Sequence, residues 1–147
     1  MTRLMFLAWL VFLPLKHIYL TSPYGYRVHP VTGQYKFHAG IDLRASHDTV
    51  FAIMDGIVSG VDYNPLLGTY IRLDHGEYQS CYGHLSQVFV LPGDTVFAGN
   101  AIAITGSSGR VTGEHLHFSV SYHHQNINPL EFLYRLINQS QNYERKL

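Results

Sequence analysis

Short runs rich in β-branched and aromatic residues recur along the chain at Thr49 to Ile53, Ile57 to Tyr63, Thr69 to Leu73, Tyr78 to Tyr82, Val88 to Leu91, Ala101 to Ile104 and His117 to Tyr122. Gly, Asp, Asn or Pro separates each from the next, the pattern of strands joined by tight turns. No run is followed by a helical stretch long enough for a right-handed crossover, which counts against a doubly wound parallel sheet and argues for antiparallel pairing. A chain of 147 residues with 46% apolar content closes one core and is short for two. Residues 21–36 are dense in turn formers and read as loops and short extended pieces. One helix is expected near the end: Asn128 can cap it, Pro129 suits its first position, and Leu130, Leu133, Tyr134 and Ile137 would share a face. The expected fold is therefore mainly β, a single-domain antiparallel sheet with one C-terminal helix.

At the start of the chain, Arg3 precedes an unbroken apolar run from Leu4 to Leu15, with the charge and length of a secretory segment. The run is shorter than the roughly 20 residues that span a bilayer, and no A-x-A site precedes Lys16 and His17. Residues 1–20 thus read as a signal-like or membrane-proximal segment that exports or anchors the chain, the plainer alternative being a first buried strand or helix of the domain. The domain itself is set at 21–138, and 139–147 is a polar tail expected to fray.

Ten Lys and Arg balance ten Asp and Glu, so no field of one sign draws nucleic acid to the surface. Cys81 is the sole cysteine, which excludes an intramolecular disulfide and a thiolate metal cluster. Its strand-like surroundings suit a small apolar residue better than a reactive thiolate. The unusual component is histidine, ten residues in all, because neutral imidazole serves both as metal ligand and as acid or base.

Three fragments concentrate this chemistry. In His38-Ala39-Gly40-Ile41-Asp42 an imidazole and a carboxylate stand four residues apart and could reach one ion, although such a pair alone usually means a surface hydrogen bond. In His115-Leu116-His117-Phe118 a strand would place both imidazoles on one face and the apolar side chains on the other. Two neighbouring imidazoles without partners are costly to bury, so a site that uses their nitrogens accounts for them better than a core does. In Tyr82-Gly83-His84-Leu85-Ser86, His84 closes a strand and taken alone would be an ordinary structural residue.

Together these fragments resemble the lysostaphin-type, or LytM-like, zinc endopeptidases, whose signatures are H-x-x-x-D, a central Y-x-H-L and a terminal H-x-H. The likeness extends from about Tyr24 to about Leu133. It includes Tyr24-Gly25-Tyr26-Arg27, Phe37-His38-Ala39-Gly40-Ile41-Asp42, Asp55-Gly56, Gly93-Asp94-Thr95-Val96, Gly106-Ser107-Ser108-Gly109 and Thr112-Gly113-Glu114-His115-Leu116-His117-Phe118. The resemblance implies a lysostaphin-like sheet of the duplicated-hybrid-motif kind. It implies that His38, Asp42 and His117 hold one Zn2+ per chain and that His84 and His115 are the catalytic groups beside it. Three N and O ligands that leave a fourth position open are the arrangement of a catalytic zinc. The substrate implied is bacterial peptidoglycan, cut in its cross-links or stem peptides, and the setting is the cell envelope or periplasm of an exported protein. No H-E-x-x-H glutamate is at hand, which is consistent with histidines moving the proton. Where the family commonly has Gly-Thr-Pro-Val, this chain has Asp48-Thr49-Val50-Phe51, so the local turn there differs.

The Gly106 to Gly113 segment lacks the Lys-Ser or Lys-Thr pair of a phosphate loop and better suits close approach of a substrate backbone. His29, His47, His75, His123 and His124 match no ligand position and read as surface or structural residues. A non-catalytic LytM-like module that binds the wall or activates another hydrolase would share the fold, as would a sugar-transport phosphocarrier with two histidines and no zinc.

Overall fold

The computed structural model describes residues 11–145. Strands β1 (Leu20–Ser22), β2 (Gly25–Val28), β3 (Tyr35–His38), β4 (Ile41–Arg44), β5 (Thr49–Phe51) and β6 (Gly56–Asn64) occupy the first half. They are followed by β7 (Gly68–Asp74), β8 (Tyr78–Val88), β9 (Thr95–Val96), β10 (Ala101–Thr105), β11 (His115–Tyr122), β12 (Gln125–Ile127) and the helix α1 (Pro129–Glu144). The main sheet runs β1-β4-β11-β8-β7-β6-β9, with β10 joining β5 to β8 and β12 beside β11. Every described pairing is antiparallel.

The alternation expected of β11 is present. Leu116, Phe118 and Val120 are buried in the core, while His115, His117 and Ser119 occupy the other face. β11 lies between β4 and β8, and its inward side chains meet Ile41, Leu43 and Tyr82 in one apolar cluster. The Tyr82 hydroxyl, also buried, accepts the Ile53 N–H at 3.1 Å and lies 3.0 Å from the Ser80 hydroxyl. Ser80 Oγ is in turn 2.8 Å from His75 Nε2, and His75 Nδ1 is 2.7 Å from the Asp55 carbonyl. That carbonyl can only accept, so His75 carries its proton on Nδ1 and Nε2 accepts from Ser80. The polar side-chain atoms of Tyr82, Ser80 and His75 are thereby matched.

Several elements depart from the sequence reading. The turn-rich segment before His38 contains a paired hairpin, β2 with β3, forming its own two-stranded sheet. β4, β9 and β12 are strands too short to show a period. The run at Val88 to Leu91 is no separate strand, because β8 continues from Tyr78 through Val88. α1 begins at Pro129 as expected, with Asn128 Oδ1 accepting the Leu130 N–H at 3.1 Å. Its buried face is rotated from the expected one. Phe132 and Leu133 are inside, whereas Leu130 and Tyr134 are exposed, since Phe132 stacks on Tyr78 with ring centroids 4.9 Å apart. The helix also runs through Glu144 into the segment read as a polar tail.

Of the apolar run Leu4 to Leu15, residues 4–10 lie outside the described residues. Its described end packs on the domain: Leu15 is in the core, the Phe12 N–H donates to Ile53 O and the Phe51 N–H to Pro14 O, both at 2.9 Å. Tyr19 O accepts from Arg44 N at 2.9 Å. The Asp48 segment forms a closed turn, its carboxylate accepting the Ser46 N–H at 3.0 Å and its own N–H donating to Thr105 Oγ1 at 2.9 Å.

Candidate metal centre and its cleft

The register of the sheet gathers the site. His117 on β11 is paired with Asp42 on β4 and with Gly83 on β8, so an imidazole stands between a carboxylate and a residue with no side chain. His38 arrives from the other sheet, at the end of β3, and the chain turns back through Ala39-Gly40 before β4 delivers Asp42. Neither a helix nor one extended strand therefore relates His38 to Asp42. Gly40 is required at the turn: a Cβ there would fall 2.6 Å from Phe118 O and 2.8 Å from the His117 ring.

His84 reaches the same face by a different device. Tyr82 and Leu85 on β8 are both buried in the core, so two residues occupy the interval where strict alternation allows one. The pairings of β8 with β7 and with β10 shift register here, and His84 takes a left-handed φ of 61°. The resulting bulge turns the imidazole toward the cleft. His84 thus sits within a strand, not at its end.

His38 Nε2, Asp42 Oδ1 and His117 Nδ1 converge: His38 is 3.3 Å from Asp42 and 3.3 Å from His117, and His117 is 3.1 Å from Asp42. Three corners of a tetrahedron around a zinc with bonds of about 2.0–2.1 Å would be separated by about 3.3 Å. The donor set therefore fits such an ion in both chemistry and spacing. His38 Nδ1 is 2.9 Å from the Pro23 carbonyl, so it holds the proton and the Nε2 lone pair faces the cluster. Inward-facing acceptors on nearly buried groups need a positive species among them, either protons or a divalent cation.

Two further imidazoles stand beside this triangle. His115 Nε2 is 3.5 Å from Asp42 Oδ1, and the His84 and His115 rings are 4.6 Å apart. Backbone carbonyls set both tautomers: His115 Nδ1 is 2.8 Å from Gly113 O and His84 Nδ1 is 2.7 Å from Ser108 O. Each ring donates through Nδ1 and presents a free Nε2. Burial of His84 lowers its pKa to about 4, with the charges of His115 and His117 acting in the same sense, so it is neutral near pH 7. For Asp42, burial alone would raise the pKa, but when protons occupy the cluster the hydrogen bonds and positive charge of His117 and His38 outweigh it and hold the carboxyl well below the usual carboxylate range. Cys81 plays no part; burial pushes its thiol up to about 11.

An open cleft lies over these groups, lined also by the β2–β3 hairpin through Arg27, His29 and Val31, and by Leu66, Leu67 and Arg110. All five residues singled out in the sequence are thus brought together. His47, His123 and His124 are exposed, and His75 belongs to the buried chain on Tyr82. His29 caps its turn through Nδ1, which accepts the Val31 N–H at 3.1 Å. Sequence reasoning missed the carbonyls of Pro23, Ser108 and Gly113, which leave no mark in side-chain pattern. It quoted Arg27 in a motif but gave neither Arg27 nor Arg110 a place in the cleft.

Fold and site together define a class: an antiparallel β domain with a His-Asp-His cluster at the floor of an open cleft, the kind of site found in metal-dependent hydrolases. The chain belongs to peptidase family M23, whose profile matches residues 36–129. It is 43% identical over 115 residues to an uncharacterized metalloprotease of Haemophilus influenzae, covering 76% of this chain and 24% of that one. It is 38% identical over 116 residues to the peptidoglycan DD-endopeptidase ShyC of Vibrio cholerae, covering 71% and 27% respectively. The fold matches the catalytic domain of the antimicrobial peptidase lysostaphin from Staphylococcus simulans with a TM-score of 0.70 and 29% identity, over 79% of this chain and 92% of that one. The chain spans about a quarter of the length of the curated relatives it matches.

Proposed function

We propose that this chain is a zinc-dependent endopeptidase that hydrolyses peptide cross-links or stem peptides of bacterial peptidoglycan. The observation that carries the reading is the triangle of His38 Nε2, Asp42 Oδ1 and His117 Nδ1, with separations of 3.1 to 3.3 Å, beside two imidazoles whose Nε2 atoms are free. The names borne by the relatives supply the substrate class. His38, Asp42 and His117 would hold the ion, which when bound supplies Lewis-acid polarisation of the scissile carbonyl and makes water acidic near neutral pH. His84 and His115 then divide the proton transfers. The Nε2 of one accepts the proton of the attacking water, and the other, protonated to imidazolium, donates from Nε2–H to the oxyanion or to the leaving amine. The Ser108 and Gly113 carbonyls orient these rings and keep Nε2 as the working atom. Asp42, His84, His115 and His117 lie on neighbouring strands of the main sheet, which keeps these groups in register, and His38 joins them from the end of β3.

Peptidoglycan lies outside the cytoplasm, so the reading places the protein in the cell envelope or periplasm. Among the described residues no helix is long and apolar enough to cross a membrane. Digestion of purified peptidoglycan with zinc, comparing wild type with His117→Ala and His115→Ala, tests the proposal by mass spectrometry of the products. New peptide termini from the wild type alone are expected. Intact muropeptides from a protein carrying stoichiometric zinc would overturn it in favour of a wall-binding or hydrolase-activating module.

A further inference from the structure

The cleft above the His-Asp-His cluster has a marked charge asymmetry. Among the described residues that line it, Asp42 is the one carboxylate, and it is engaged with His38 and His117. Arg27, on β2, and Arg110, in the loop before β11, are its guanidinium groups. Neither forms an ion pair with a described carboxylate, although Arg135 and Glu131 on α1 do so. Arg27 is the sharper case, because its Nε is buried and has no hydrogen-bond partner. A buried guanidinium nitrogen without an acceptor is costly unless something outside the chain supplies one. His29, which also lines the cleft, feels the same imbalance. After desolvation, the causes that lower its pKa are all cationic neighbours: Arg27, Lys36, Arg110 and His38.

We propose that Arg27 and Arg110 bind a free carboxylate of the substrate, making this cleft specific for anionic peptide stems over neutral bridges. The inference rests on the peptidoglycan reading for its substrate class but on the cleft for its chemistry. A guanidinium presents parallel N–H donors matched to carboxylate geometry, which a peptide amide cannot satisfy in the same way. Within a stem peptide, apart from the carboxylate of its C-terminal alanine, two groups offer that chemistry and are the proposed ligands: the α-carboxylate left by γ-linked glutamate, and the carboxylate of the diamino acid. The Pro30-Val31 and Leu66-Leu67 surfaces beside the arginines are apolar and suit the methyl groups of adjoining alanines. Two arginines lining the cleft also draw an anionic peptide toward the metal-ligand cluster, where the scissile bond must lie.

The experiment uses the full zinc-loaded chain and cross-linked muropeptide dimers in three forms: both carboxylates free, glutamate amidated, and diamino acid amidated. Binding is measured by calorimetry on the inactive His115→Ala background, and cleavage is measured separately on the active one. One amidated form is expected to bind about tenfold or more weakly, since a hydrogen bond to a charged group contributes that much, and to show the loss in KM rather than in kcat. The form affected identifies the carboxylate. Arg27→Gln and Arg110→Gln should each remove the preference, lowering the free-acid form to the amidated value and leaving the amidated form unchanged. Amidation alters only the ligand, and Arg110 is exposed, so a misfolded Arg27 variant would not mask the result. Equal binding of all three forms by wild type, or an undiminished preference in Arg110→Gln, would overturn the proposal. A preference in binding with no cleavage of any form would retain the carboxylate site while removing the peptidase reading.

Discussion

Gly40 is where one hydrogen atom decides the geometry of the centre. The Gly40→Ala methyl would meet the Phe118 carbonyl at 2.6 Å and the His117 imidazole at 2.8 Å, and the carbonyl belongs to a strand that cannot retreat. The ring must give way, which separates Nδ1 from the other two donors. Loss of stoichiometric zinc binding is expected, together with about 1–3 kcal/mol of stability from overpacking, measurable by metal analysis and urea unfolding. Asp42→Asn should likewise abolish tight binding while the far-ultraviolet circular dichroism stays unchanged, because the substitution keeps the shape and removes the charge. Cys81 gives a contrasting forecast. With its thiol pushed to about 11, the thiolate is scarce at pH 8, so an alkylating reagent should react slowly with the folded chain and rapidly in denaturant. The five polar residues of the site were legible in the sequence because their spacing matches a family motif. Their tautomers were not, since the acceptors at Pro23, Ser108 and Gly113 are backbone atoms that any residue supplies.

Strands differ in how much they announce themselves. β11 is readable because alternation is local: Leu116, Phe118 and Val120 inside, His115 and His117 outside. Its neighbour β4 is four residues long and three of them are buried, so it carries no period, and its pairing with β11 could not be read from the sequence pattern. The bulge in β8 was hidden for a related reason, as nothing in Tyr82-Gly83-His84-Leu85 tells a strict alternation from one extra residue. α1 was found by its cap, but its buried face was misjudged because the partner of Phe132 is Tyr78, distant in sequence. Phe132→Ala should therefore cost about 3–5 kcal/mol, the range for deleting a buried aromatic ring, whereas Leu130→Ala, on the exposed side, should cost little. The β7–β8 turn carries a pH dependence through His75, whose pKa is lowered chiefly by burial. A base with a depressed folded pKa binds its proton more readily when unfolded. Its stabilising contribution is thus complete above about pH 6.5, the unfolded value, and declines as pH falls below that. In the presence of chelator, the thermal midpoint of the wild type should fall more steeply between pH 7 and pH 5 than that of His75→Gln. Parallel curves would remove His75 from the account.

At the scale of the molecule, a zinc ion held as proposed would couple to folding, because a site made from three strands exists only in the folded state. An ion present at a hundred times its dissociation constant adds about 2.7 kcal/mol, equivalent to a rise of about 5–10 °C in Tm for a chain of this size. A calorimetric scan with zinc and then with chelator should show that difference for wild type and none for His117→Ala. An unchanged midpoint would mean that the donors hold no ion in solution. The main sheet and the hairpin both contribute, since His38 belongs to the two-stranded sheet and Asp42 and His117 to the larger one.

His38 and His117 stand 79 residues apart in the chain, and Asp42 and His117 stand 75 apart. Closing such long loops is among the slowest events in forming a fold, and it is complete only when β4 has found β11. While the chain is still threading or collapsing, the nearest chelating pairs it owns are His38 with Asp42 and His115 with His117, each too sparse to retain an ion against competing scavengers. On the proposed reading, metal capture would therefore act as a clock that strikes last: in a stopped-flow refolding experiment, withdrawal of zinc from a fluorescent indicator should follow the burial of Tyr82 and Phe118 and never precede it.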